Sequence, residues 1–281
     1  MPPSEMFKFF GGRVAASPQM CRAILRLLAA NGPLPTGDLA AALQPVTLTD
    51  PLEAQYQTSL EIVRELELVV GRDTFEISDQ YVGAGGTLAE FRIAFRRALV
   101  LRALHEIDSG GEPSDLFQGL LWLSMQPHTS SWSATSDQDV IKPLNDLGFR
   151  GVIANGEQWR GFRDWSRALG FIRELPGTRL VPDAVPALTD SLVELSGEFA
   201  MRAFMDSVAR SFPLLHGASV RTWFSGKQPN MDLDRPSQVL SWAMARLQRS
   251  GRLECTSRDD AVDQWTMAAP VGRVSHVKVM A

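Results

Sequence analysis

The sequence predicts a mainly α-helical fold with short β-hairpins, and three observations carry that expectation. Amphipathic helical stretches recur along the chain. Three segments, at residues 59–78, 161–183 and 238–267, each run from such a helix through a short apolar exit and a polar turn into a second apolar strand. Ahead of the third a helix and a short strand or turn precede the long helix, and ahead of the first lie further stretches that complete the order helix, short helix, long helix, hairpin. That is the order of a winged helix, whose last helix and hairpin form the recognition half. The expected architecture is therefore two or three tandem winged-helix units joined by helical connectors.

In the N-terminal unit, residues 1–82, a helix over 19–30 carries Cys21, Ile24, Leu25 and Leu28 on one stripe. Asn31-Gly32-Pro33 ends it. Thr36 is placed to cap a short helix over 37–43, and Asp50-Pro51 opens the third helix. Gly83-Ala84-Gly85-Gly86 reads as a flexible break. It begins a connector, residues 83–112, whose long helix over 88–104 is bounded by Asp108-Ser109-Gly110-Gly111. In the middle unit, residues 113–190, helices are expected over 115–125, 137–147 and 159–169, with Pro176-Gly177 turning the hairpin. A winged helix and an irregular helical domain with the same ending both fit this unit. The polar run 128–136 reads as loop.

The C-terminal unit, residues 191–281, opens with a helix over 199–210, cored by Phe199, Phe204, Met205 and Val208. Residues 220–224 read as a short strand or turn. Asp234-Arg235-Pro236-Ser237 starts the long helix and Ser250-Gly251 breaks it. Strands over 252–256 and 264–267, flanking a polar tip, make the clearest wing, and the tail after Pro270 is expected as edge or loop.

Composition narrows the function classes. With 281 residues, 44% apolar and 21% charged, the chain has ample material for a core and is not of disordered type. Nothing approaches the roughly 18 apolar residues that a membrane span needs. The opening MPPSEMFKFFGGR has no basic stretch ahead of an apolar run, so a cytoplasmic location is expected. Cys21 and Cys255 are far apart, and Cys21 sits in an apolar helical pattern, which fits a buried free thiol. Of 28 basic residues 24 are arginine, whose planar fork suits phosphate and carboxylate, although a GC-rich genome gives the same bias. The net charge of −4 argues against a chain coated in nucleic acid but leaves room for a local basic face.

The motifs of catalysis are missing from the sequence. His105, His128, His216 and His276 have no second ligand at metal-binding spacing. Neither Gly83–Gly86 nor Ser225-Gly226-Lys227 has the layout of a phosphate loop, and Asp232, Asp234, Asp259 and Asp260 read as turn formers. No catalytic residue, metal or cofactor is expected, and the chain is not expected to be an enzyme.

Binding faces are better supported. Arg160, Arg163 and Arg167 lie at i, i+3 and i+7 of one helix, with Trp159 and Trp165 nearby. Such a face grips successive phosphates or enters a major groove, unless it is a solvated face with its arginine stems packed on the tryptophans. In the C-terminal unit Arg235 stands at the helix start, Arg246 and Arg249 near its end, and Arg252 and Arg258 toward the wing, where phosphate contact is common. Arg160, Arg163, Arg167, Arg246, Arg249, Arg252 and Arg258 form the expected DNA-contact set. The helix over 88–104 carries Arg92, Arg96, Arg97 and Arg102 opposite Phe91, Phe95 and Leu99, and fits a domain bridge, a nucleic-acid contact or a partner's acidic groove. The third helix of the first unit carries Glu53, Glu61, Glu65 and Glu67 against Arg64. A phosphate backbone would be repelled there, so Glu53, Glu61, Arg92 and Arg96 are assigned to a protein partner.

The run from Arg163-Asp164-Trp165-Ser166-Arg167 to Phe171, then Arg179-Leu180-Val181-Pro182-Asp183, is joined by Arg246-Leu247-Gln248-Arg249-Ser250-Gly251-Arg252-Leu253 and the closing Gly272 to Val277. In these residues, and in the order of its features from about residue 17 to 278, the chain resembles the DpdG-like family of bacterial 7-deazaguanine DNA modification and restriction clusters. The resemblance implies a part in defence against phage or foreign DNA beside helicase and nuclease partners. It offers no catalytic residues to carry over. The expected function is a non-catalytic DNA-binding or complex-assembly subunit of an antiphage restriction system. The alternatives are a winged-helix transcription regulator and a tandem winged-helix accessory of an SMC-like ATPase that binds protein partners only.

Overall fold

The computed structural model describes residues 7–10, 15–43, 50–149, 151–193, 195–227, 236–259, 261, 263–268 and 271–280. Arg235 and the acids Asp232, Asp234 and Asp260 lie outside the described residues. The chain is mainly helical, with small antiparallel sheets of two or three strands. It divides into two compact units, Met1–Phe117 with Ile153–Ala168, and Gln118–Val152 with Leu169–Ala281.

The first unit begins with α1 (Pro18–Asn31), β1 (Leu34–Pro35), α2 (Thr36–Leu43) and α3 (Asp50–Glu65). The hairpin β2 (Val69–Val70) and β3 (Thr74–Ile77), a 3-10 turn (Asp79–Gly85) and α4 (Leu88–Asp108) follow. The Ser17 hydroxyl accepts the Met20 N–H and caps α1, and Cys21, Ile24, Leu25 and Leu28 are buried as the stripe predicts. Thr36 starts α2, but its hydroxyl donates to the Arg72 and Asp73 carbonyls and so ties the helix to the turn of the hairpin. Helix α4 begins with a full capping box between Thr87 and Glu90 and runs beyond the predicted end to Asp108.

Chain order continues with α5 (Asp115–Met125), β4 (Trp132–Ser133), α6 (Gln138–Asp146), α7 (Gly156–Ala168), β5 (Ile172–Leu175), β6 (Arg179–Pro182) and α8 (Val185–Ser191). Then come β7 (Gly197–Ala200), α9 (Met201–Ser211), α10 (Pro213–His216), α11 (Ala218–Lys227) and α12 (Gln238–Arg249). The chain closes with β8 (Leu253–Thr256), β9 (Trp265–Thr266), β10 (Arg273–Val274) and β11 (His276–Val279). Three of the sheets share one plan. Their strand orders are β1-β3-β2, β4-β6-β5 and β7-β11-β8, so in each the last strand in sequence is central.

Several expectations need correction. The polar run 128–136 contains β4, because Trp132 is buried against Trp122, with ring centroids 5.1 Å apart. Phe199 lies in β7 rather than in a helix, and helix α9 starts two residues later with Phe204, Met205 and Val208 buried. Residues 220–224 are helical, since Val220, Arg221 and Phe224 are buried at i, i+1 and i+4 of α11. The partner of β8 is β11, while β9 pairs with β10. The tail thus supplies the central strand of its sheet, and its period-2 burial of Val277 and Val279 is the pattern of a half-buried strand.

The glycine-rich segment is also packed where flexibility was expected. Tyr81, Ala84 and Gly85 of the 3-10 turn are buried, and a Cβ on Gly85 would stand 2.3 Å from the Ala29 Cβ and 2.5 Å from the Leu25 carbonyl oxygen. Glycine lets this turn approach α1 that closely. Gly85→Ala should therefore cost about 1–3 kcal/mol. Gly83→Ala, which projects into open space, should stay within about 0.5 kcal/mol of wild type. Chemical denaturation of both variants tests the contrast, and equal midpoints would refute it.

Candidate nucleic-acid interface

Helix α7 carries the first arginine set, and its position depends on residues far away in sequence. Trp159, Phe162, Trp165 and Ser166 are buried on its inner face. The tryptophans therefore anchor the helix inside the first unit. The Trp165 indole N–H donates to the Ala16 carbonyl at 2.8 Å, and its ring lies 4.5 Å from Phe95 and 5.6 Å from Phe9. Phe162 meets Phe10 edge-on at 6.2 Å, and the Gln158 amide donates to the Phe10 carbonyl at 3.3 Å.

Asp115, buried at the start of α5, fixes that N-terminal segment. Its carboxylate accepts the N–H groups of Phe9 at 2.8 Å, Phe10 at 3.1 Å and Leu116 at 2.7 Å. Burial pushes its pKa up to about 6, against the lowering effect of the three donors and of nearby Lys8.

On the outer face of α7, Arg160 and Arg167 are exposed, and Arg163 is held by the Asp164 carboxylate at 2.9 Å. Among the described residues none forms an ion pair with Arg160. Arg160 borders an open cleft of about 340 Å³ that also meets Glu157, Asp164, Gln55 and the start of α1 at Ser17 to Gln19. Two carboxylates against one cation give this cleft no bias toward an anion.

The second set lies in the other unit and divides into two kinds. Arg246 of α12 reaches the buried Asp183 carboxylate at 2.5 Å, where Arg173 also binds at 3.1 Å. Arg258 pairs with Glu198 of β7. By contrast Arg249 and Arg252 are exposed. The Arg249 guanidinium lies 5.6 Å from the Trp242 ring centre, and the His128 ring stacks on Trp242 at 4.8 Å.

The partner set behaves similarly. Glu53 and Glu61 are exposed on α3. Glu65 on the same helix faces Arg102 at 3.8 Å, and Arg102 also holds Glu106 at 2.8 Å. Arg92 is half-buried, and Arg96 is only 2% exposed, packed into the α4 core sector with Phe95 and Leu99. Arg96 therefore presents no face to a partner in this conformation. No group of three or more His, Cys, Asp or Glu suited to a metal occurs among the described residues. Both cysteines are free thiols, with Cys21 pushed far up by burial and Cys255 raised to about 11.

A family model described as DpdG-like matches residues 12–261. The chain belongs to the DpdG-like family. No curated protein and no solved structure matches it. Membership associates the chain with a Dpd-type modification system. Within this DpdG-like chain the matched span takes in α7, Asp115 and both arginine sets. It begins after Phe9 and Phe10 and ends before β11.

Two outcomes follow from the geometry. Arg246→Ala removes one partner of a buried carboxylate and should destabilise the fold by about 1–3 kcal/mol, whereas Arg249→Ala should cost under about 0.5 kcal/mol. Thermal denaturation separates them, and equal losses would show that the Asp183 pair carries no weight. Asp115, with a folded pKa near 6 against 3.8 for the free group, binds its proton more tightly when folded. Its stabilising contribution is full below about pH 4 and is lost as pH rises through about 6, a difference of order 3 kcal/mol. Relative to Asp115→Asn, the wild type should therefore lose stability between pH 4 and 7; parallel melting curves across that range would refute this.

Proposed function

We propose that this chain is a non-catalytic, cytoplasmic DNA-binding and complex-assembly subunit of a bacterial antiphage restriction system, built from tandem winged-helix units. The observation that carries the reading is the shared plan of the three-stranded sheets. Each has its last strand in the centre, and helices α3, α7 and α12 respectively precede the closing pair of strands. For α3 and α12 that is the helix-and-hairpin half from which winged helices meet DNA, while α7 belongs to the first unit and the hairpin that follows it in sequence to the second. Arginine stands exposed on two of those helices, at Arg160 and Arg167 on α7 and at Arg249 on α12, with Arg252 just beyond. The third, α3, displays Glu53 and Glu61 and is suited to a protein partner, for which a helicase or nuclease subunit of the same system is the class we favour.

Family membership supports the defence setting, and the separation of basic from acidic helices supports a subunit that bridges DNA and protein. A partner-only role, as in an accessory of an SMC-like ATPase, is favoured by one observation: Arg246, Arg258 and Arg163 are already committed to carboxylates. DNA affinity across a salt series decides between them. Each phosphate contact contributes a slope of about 0.9 in log affinity against log salt. Arg160→Ala/Arg167→Ala and Arg249→Ala/Arg252→Ala should each lower the slope by up to about 2. Wild-type protein that fails to bind duplex DNA even at low salt would leave the partner-only reading.

A further inference from the structure

The N-terminal segment has the character of a bound peptide more than of a core element. Phe9 and Phe10 lie outside any helix or strand, yet they are 0% and 3% exposed. Their backbone polar groups are met by side chains from distant parts of the chain: both N–H groups by Asp115, and the Phe10 carbonyl by Gln158. Their rings fill a site walled by Phe95 of α4 and by Phe162 and Trp165 of α7. Just beyond, Ala16 accepts the Trp165 indole N–H, and a Cβ on Gly161 would stand 3.1 Å from both Ala15 and Phe10.

We infer that the first unit contains a slot for a peptide with two consecutive aromatic residues, filled by the chain's own residues 9 and 10, and that filling it fixes α7 and the arginines it displays. The ligand chemistry is defined by the slot. Two adjacent backbone N–H groups satisfy one buried carboxylate, and two rings close an aromatic wall. Emptied, the slot leaves Asp115 as a buried carboxylate with the Leu116 N–H as its remaining donor, and Trp165 loses the Phe9 side of its packing. Helix α7 enters the first unit from a later stretch of chain, and these contacts join those to Phe95 and α1 in holding it there. The consequence for DNA rests on the function proposed above; the slot itself does not.

Hydrogen–deuterium exchange of the full chain tests the slot directly. In Phe9→Ala/Phe10→Ala, amides of α7 should exchange at least tenfold faster than in wild type, with a smaller change in α1 and α3. A synthetic peptide of residues 7–17, added in excess, should restore slow exchange, and the same peptide with both phenylalanines replaced by alanine should not. The double variant should also show the reduced salt slope of Arg160→Ala/Arg167→Ala. Unchanged exchange in α7, or acceleration equal across the unit that the peptide does not reverse, overturns the inference. If the double variant does not fold, Asp115→Asn serves instead, with faster exchange in α7 expected and unchanged exchange refuting. Wild-type protein that does not bind DNA would overturn the DNA reading alone, because exchange reports on the slot without DNA.

Discussion

The carboxylate of Asp115 sits in the interior of the first unit with three backbone N–H groups directed at it and, among the described residues, no salt-bridge partner. An isolated buried carboxylate is costly, and hydrogen bonds to its charged form offset that cost. Two of the three groups that offset it are the N–H groups of Phe9 and Phe10, so part of the cost of burying Asp115 becomes a force that draws the N-terminal segment inward. The rings that arrive with those N–H groups complete the wall against which Trp165 and Phe162 pack. Local sequence, tertiary packing and the display of Arg160 are thereby linked through one side chain.

A second constraint sorts the arginines. A guanidinium beside a buried carboxylate serves the fold first, because removing it strands a charge in low dielectric. Arg246 is in that position against Asp183, which Arg173 also holds. Arg249 differs: it is exposed and rests on Trp242, where its planar cation is retained without being neutralised. A cation of that kind remains available to phosphate. The count of arginines therefore overstates the basic surface, and the distribution of acids among them determines what is left.

Much of the helical scaffold was legible in the sequence. The stripe of α1 was placed to within a residue or so at either end, and α5 at both of its ends, because apolar periodicity and end signals agree there. The strands were less legible. Two-residue strands such as β1 and β4 are too short for period-2 alternation to show, and β4 lies in a run that is polar apart from Trp132 and Ala134. The pairing of β8 with β11 escaped because the nearer segment at 264–267 is also apolar and adjacency favours hairpins, although Val277 and Val279 alternate plainly. Of the site residues, the arginine spacing on α7 was readable, but its surroundings were not. The partners of Arg163 and Arg246 are matters of reach, and Arg96 looked like its exposed neighbour Arg97 on a helix whose buried sector is wide. The N-terminal Phe-Lys-Phe-Phe was the one signal for the slot; its apolar density has no helical or strand period to explain it.

The three sheets repeat one strand order while the helices before their closing strands differ in charge and in what they pack against. A repeated backbone plan with divergent faces separates what folding requires from what binding requires. Folding requires the central last strand and the apolar inner face of each helix, and these recur in Val63, Trp165 and Met244. The outer faces differ: α3 shows glutamates, and α7 and α12 show arginines. A regulator reading one operator would need a single such outer face, repeated by dimerisation. A chain that displays dissimilar faces would hold unlike ligands at once, which is the arrangement the proposed assembly subunit needs.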